Sequence, residues 1–244
     1  MKTTIPCKAA LALALVLFAG CTTRSISNSG YGADRASYGW STVGGYRGEL
    51  SELDVLGVSS DSSISERDIS TALATAEPPR LERNSKVLLV QSGADFPDEP
   101  MVTALSQRFR VLPFSGHPSA KPEINSAYSK TLRLAAARGG YDKIICYWGV
   151  LESAQENQVT KAVSWVPLAG YFVPDQKQSM RIRLKAAIVD VASGRWTFVM
   201  PAPATSSDFS SVVSRRNVDQ SLVAELKEAG YRNLVRELVE KHTG

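Results

Sequence analysis

The sequence predicts a mixed α/β (α+β) fold, a mixed sheet with helices packed on it. Three observations point there. Short apolar runs rich in β-branched residues, such as Val87-Leu88-Leu89-Val90, alternate with stretches of helical spacing through residues 85–150. Arg181-Ile182-Arg183-Leu184-Lys185-Ala186 alternates strictly, as a half-buried strand does. Leu222, Val223, Leu226, Ala229, Leu234, Val235 and Leu238 form the apolar stripe of a long closing helix. Strands and helices in this order make a layer structure in which helices cover a sheet.

The first element is not part of that fold. Lys2 and Lys8 precede the apolar run Leu11 to Phe18, and Ala19-Gly20-Cys21 closes it. A basic start, a short apolar stretch and small residues before a cut point describe a secretory signal peptide. The run is too short to span a bilayer, which takes about 20 apolar residues. Leu17-Phe18-Ala19-Gly20-Cys21 resembles the lipobox of bacterial lipoproteins, although Phe18 stands where Leu is commonest. That resemblance implies cleavage after Gly20 and a diacylglycerol and an N-acyl chain on Cys21. Residue 22 is Thr, where an Asp would resemble an inner-membrane retention signal. By the same analogy the mature protein is expected on the outer membrane, lipid-anchored and facing the periplasm. No other cofactor is implied.

Removing residues 1–20 leaves 224 residues, enough for one domain with a flexible lead. The signal takes two of 28 basic residues, so the mature chain carries 26 against 24 acidic ones, a net +2. So even a balance argues against a nucleic-acid partner. Cys7 leaves with the signal and Cys21 is acylated, so Cys146 stands alone and no intrachain disulfide can form.

Residues 21–48 are rich in Ser, Gly, Thr and Tyr without apolar periodicity, and are expected to form a flexible tether. Residues 49–84 read as an arm with a short helix. Ser65 and Asp68 have the spacing of a capping box, and Pro78-Pro79 ends the helix. The main domain is 85–244. It opens with a buried strand at 86–91, and Pro97 and Pro100 suit the first turn of the helix that follows. Pro113 makes the strand at 110–114 an edge. Residues 126–138 form a helix punctuated by Gly139-Gly140, and 143–150 is the most apolar and most central strand. Glu152 to Lys161 is polar and irregular. Ala162 to Pro174 is a hairpin or an apolar loop, because Pro167, Gly170 and Pro174 forbid a long helix. The alternating strand runs on to Val191, turns at Ala192-Ser193-Gly194 and returns through Arg195 to Val199. Asn217 and Gln220 cap the last helix.

Leu184-Lys185-Ala186-Ala187-Ile188-Val189-Asp190-Val191-Ala192-Ser193-Gly194-Arg195-Trp196, with the elements around it, resembles two kinds of envelope domain. They are the curli-secretion-like and the TolB-amino-terminal-like domains of small bacterial lipoproteins. The resemblance covers roughly 85–240 and implies an assembly, secretion or enzyme-activating partner.

Chemistry is sparse. With two histidines, His117 and His242, and no His-x-x-x-His or Cys-x-x-Cys, no metal site is expected. Gln91-Ser92-Gly93-Ala94-Asp95 follows a strand but lacks the first glycine of a nucleophile elbow, and only His117 could serve Ser92 as base. No catalytic residue is assigned. A hydrolase or peptidase using Ser92 and His117 is a minor alternative. Two stretches could bind. Arg181, Arg183 and Lys185 would line cations about 7 Å apart along one strand face, suiting an anionic glycan, a lipid headgroup or an acidic protein patch. A merely solvated face explains them as well. Trp165, Tyr171 and Phe172, around Pro167 and Pro174, are either core or an exposed partner, oligomer or membrane contact. The expected function is a non-catalytic interaction or assembly factor of the envelope. The alternative is a subunit of an envelope secretion or pore assembly using residues 161–174, possible homo-oligomers included.

Overall fold

The computed structural model describes residues 24–28, 48–58, 64–116, 128–157, 162–167, 179–206 and 218–242. In chain order the strands are β1 (Arg24–Ser25), β2 (Lys86–Gln91), β3 (Arg110–Phe114), β4 (Lys143–Asn157), β5 (Ala162–Pro167), β6 (Ser179–Asp190), β7 (Trp196–Val199) and β8 (Ala204–Thr205). The α-helices are α1 (Glu52–Leu56), α2 (Glu66–Ala74), α3 (Glu99–Ser106), α4 (Tyr128–Arg138) and α5 (Val218–His242). A 3₁₀ turn, Ile26–Asn28, follows β1.

All eight strands belong to one sheet with the spine β3-β2-β4-β6-β7. β2 is parallel to both β3 and β4, whereas β6 is antiparallel to β4 and to β7. The β2–α3–β3 and β3–α4–β4 connections step in opposite directions across the sheet. Right-handed crossovers therefore place their helices on opposite faces. Packing agrees. Val87, Leu89, Ile145, Tyr147 and Ile188 meet Met101 and Leu105 of α3 and the stripe of α5 on one face. Leu88, Val90, Ile144, Cys146 and Val189 meet Leu132 and Ala136 of α4 and Val55 of α1 on the other. Both faces of β2 and of the lower half of β4 are covered, which is why these strands read as unbroken apolar runs.

β4 is much longer than the apolar run that announces it. Only Lys143 to Tyr147 pair with β2. Above them, on the same edge of β4, Val150 and Leu151 pair with β1, and Glu152 to Asn157 pair with β5. The polar stretch from Glu152, expected to be irregular, is strand as far as Asn157 because β5 pairs with all of it and β6 with its first three residues. Likewise Ala162–Pro167 is the return arm of a hairpin with β4, one of the two forms expected for that segment. Ser65 and Asp68 form the expected capping box at the start of α2. β3 is an edge strand with its proline, and the β6–β7 turn carries a left-handed Gly194 at φ 74°.

One piece of the expected tether is ordered and built into the sheet. Ile26 is 1% exposed and Ser25 9%. The room comes from Gly149, whose Cβ would lie 2.5 Å from Leu184 Cδ2 and 2.9 Å from Ile26 Cγ2. Only a residue without a side chain lets Ile26 seat against β4 there.

Candidate functional site

In open α/β sheets the crevice forms where strand order reverses, at the carboxyl ends of the strands. Here that point lies beyond Gln91 and Tyr147, between β2 and β4. The chain's own N-terminal residues occupy it. Ser27 donates to the Ser92 carbonyl at 2.5 Å, and Gln91 Nε2 donates to Ser27 Oγ at 2.9 Å. Ser92 Oγ donates to the Glu49 carboxylate and accepts from Leu50 N at 2.8 Å. Trp148 Nε1 donates to the Leu50 carbonyl at 2.9 Å.

A second tier lies toward α5. Tyr147 OH donates to Gln91 Oε1, which also accepts from Asp98 N at 2.7 Å. Tyr231 OH donates to Asp98, whose carboxylate sits 2.9 Å from Lys227 Nζ. Burial, then the Asp98 charge, pushes the Tyr147 and Tyr231 hydroxyls well above their ordinary range, so both are donors at neutral pH. Buried polar groups satisfied in this way fix one arrangement of strand, helix and N-terminal segment. Asp98 stands at the N-cap position of α3 without a side-chain capping bond, and its carboxylate ties that helix to α5.

The residues singled out as binding candidates fall into two groups. Arg181, Arg183 and Lys185 share one face of β6, while Ile182, Leu184 and Ala186 are buried on the other. The cations are not a bare row of charge. Glu152, 7% exposed, accepts from Arg181 Nε and from Arg183 at 2.7 Å. Lys185 pairs with Glu52 of α1, and its ammonium stands 5.5 Å from the Trp148 ring centre. The side chain of Arg183 remains 54% exposed. Arg183 and Lys185 line a groove of about 560 Å³ together with Ser25, Glu49, Trp148, Val150, Met200 and Pro203. Its lining is mostly apolar, with Glu49, Arg183 and Lys185 as the charged residues.

Trp165 lies on β5, opposite Ala154 in register. Tyr171 and Phe172 lie outside the described residues, as do Cys21 and His117. Cys146 is fully buried, and burial raises its thiol well above the ordinary value, so it is inert at neutral pH. Among the described residues no group of three or more His, Cys, Asp or Glu side chains could hold a metal ion. No helix among them is long and apolar enough to cross a membrane. Sequence reasoning missed Glu49, Glu52 and Glu152 as partners of Ser92 and the β6 cations. Each partner lies far away in the chain, so nothing local in the sequence singles these acids out.

The model of one protein family, the YafT bacterial lipoproteins, matches residues 51–241. This chain belongs to the YafT bacterial lipoprotein family. The match spans everything from α1 to α5, so the family is defined by the folded body and not by the signal. Membership in a lipoprotein family and a described body without a spanning helix together fit a lipid-anchored protein of the envelope. None of the curated proteins matches the chain.

Proposed function

We propose that this YafT-family lipoprotein is cut after Gly20, acylated on Cys21 and sorted to the outer membrane, where it acts by contact and not by turnover. The observation that carries the reading is the coincidence of two independent signals. The lipobox-like Leu17-Phe18-Ala19-Gly20-Cys21 stands at the head of a chain whose remaining body matches a bacterial lipoprotein family. Anchoring by several acyl chains is stable because each buried methylene adds about 0.8 kcal/mol. Thr22 supports the outer membrane as destination. A contact role is supported by the use of Ser92 Oγ within the body, between Glu49 and Leu50. The likeness of the Lys185 to Trp196 hairpin to assembly and secretion domains supports it by analogy. The contact surface in this reading is the groove beside Arg183 and Lys185, and its partner an envelope protein or an anionic glycan.

Density-gradient fractionation tests the sorting. The wild type is expected with outer-membrane markers and a Thr22→Asp variant with inner-membrane markers. Wild-type protein in the soluble periplasmic fraction refutes the anchor. Photo-crosslinking from Met200, whose side chain is exposed beside the groove, tests the contact role. A single discrete adduct in intact cells supports it, and its absence refutes it. The reading as a subunit of a secretion or pore assembly is favoured by the β4–β5 hairpin, whose last three β4 residues, Gln155 to Asn157, pair with β5 and not with β6. Native mass of the acylated protein with and without residues 161–174 separates it from a monomer.

A further inference from the structure

We propose that the body stands directly on the bilayer, with the end of the sheet formed by β1, β5 and the upper half of β4 resting on the phospholipid surface. This rests on acylation of Cys21, and on the chain that lies between that residue and the sheet. β1 begins at Arg24. Three residues therefore connect the anchor to the fold, and at 3.3–3.6 Å each they reach at most about 11 Å.

The register turns that reach into an orientation. Arg24 pairs with Leu151, and the next position up the same edge of β4, Glu152, pairs with Pro167 of β5. The anchored chain thus joins the sheet at the junction of β1 and β5. Below that junction β4 runs back to Lys143, eight residues or about 26 Å, so the lower end of the sheet lies beyond the link's reach. Above it β4 continues for six residues to Asn157, roughly 20 Å, which is longer than the link. A sheet held upright drives the β4–β5 arm into the headgroup layer, and a tilted sheet lays it along the surface. Standing the body up with that arm away from the bilayer would take a tether longer than three residues, and the 24–28 segment, built into the sheet, removes it.

The chemistry of that end suits the contact. β5 is Ala-Val-Ser-Trp-Val-Pro, with one polar residue in six, and tryptophan favours the interface between headgroups and acyl chains. Arg24 begins β1 at the junction where the anchored chain joins the sheet, and Arg183 is registered opposite Val150 beside it, so two guanidiniums lie midway along β4, at the point nearest the anchor. Anionic headgroups attract such cations by about 1 kcal/mol each near the surface.

The test uses the full acylated protein in vesicles of phosphatidylethanolamine and phosphatidylglycerol that carry headgroup-proximal spin-labelled lipid. Cys146 is fully buried, so a single introduced cysteine takes an environment-sensitive fluorophore selectively. Ser164→Cys places it on β5, and Arg138→Cys places it at the end of α4 next to the lower end of the sheet. The Ser164 label is expected to shift to the blue and to be quenched several-fold more strongly than the Arg138 label. Equal quenching at the two sites, in protein that floats with the vesicles, overturns the orientation and leaves the anchor standing. Wild-type protein that does not float overturns both. A Gly/Ser spacer of twelve residues between Thr23 and Arg24, about 20 Å in root-mean-square length, keeps flotation and lowers quenching at Ser164. Unchanged quenching with that spacer overturns the claim that link length sets the contact.

Discussion

Asp190 shows how one side chain makes the body sensitive to acid. Burial opposes ionisation of its carboxyl. The Lys143 ammonium at 2.8 Å, with the hydroxyl and amide of Ser193, outweighs that and holds it at about 2. The unfolded value is 3.8, so the folded carboxylate contributes stability above about pH 4 that is lost as pH falls toward 2. Lys143→Met is expected to be less stable than wild type at pH 7, by about 1 kcal/mol for a partly solvated pair. The gap should close between pH 4 and 2, as urea titrations at stepped pH would record. A gap independent of pH would mean that the lysine matters through packing. Gly149 makes a second residue-scale case, steric and not electrostatic. Gly149→Ala should cost 1–3 kcal/mol by overpacking against Leu184 and Ile26. A label on Ser27 should report the loss as release of the N-terminal segment before global unfolding.

Among the elements, α2 and α5 mark the extremes. α2 has no buried residue, so its capping box is most of what distinguishes helix from coil there. Ser65→Ala should speed amide exchange across Ile69 to Leu73 about fivefold, equivalent to about 1 kcal/mol, while leaving the melting temperature in place. α5 is held by its buried stripe and by the Lys227–Asp98 pair, which is closed off from solvent on the lysine side. Lys227→Met leaves Asp98 with the Tyr231 hydroxyl alone. It should destabilise the body by about 3 kcal/mol in denaturant titrations. These contrasts also explain what the sequence could reveal. β2, the lower half of β4, β6 and α5 carry their burial in their periodicity, so each was legible. The upper half of β4 was not. Glu152 to Asn157 is strand because β5 pairs with all of it and β6 with Glu152 to Ala154, and neither partner is visible from the segment itself. β1 is two residues long in a Ser-rich stretch, too short for any period to emerge. The Ser92–Glu49 contact joins residues 43 apart, and nothing local announces it.

For the whole molecule, the N-terminal segment decides the character of the protein. A 21–48 stretch read from composition alone is a leash on which the body swings. With Ile26 buried and Ser27 bonded to the strand that leads the fold, Cys21 stands three residues before β1, and the proposed acylation of Cys21 would make the membrane one wall of the protein's surroundings. The same segment fills the switch-point crevice, where folds of this kind commonly hold ligands. The groove beside Arg183 lies midway along β4, at the level where β1 joins the sheet, and the β4–β5 arm continues beyond it. A contact protein positioned in this way meets partners in a layer close to the bilayer, where lateral diffusion and orientation favour encounter.

Everything at that scale begins with the proposed acylation of Cys21. Intact-mass and fragment-ion analysis of the N-terminal peptide, from protein extracted out of membranes, tests it most directly. The account predicts a peptide that starts at Cys21 and carries a diacylglyceryl thioether and an amide-linked acyl chain. A peptide retaining residues 1–20, or one starting at an unmodified Cys21, would contradict it.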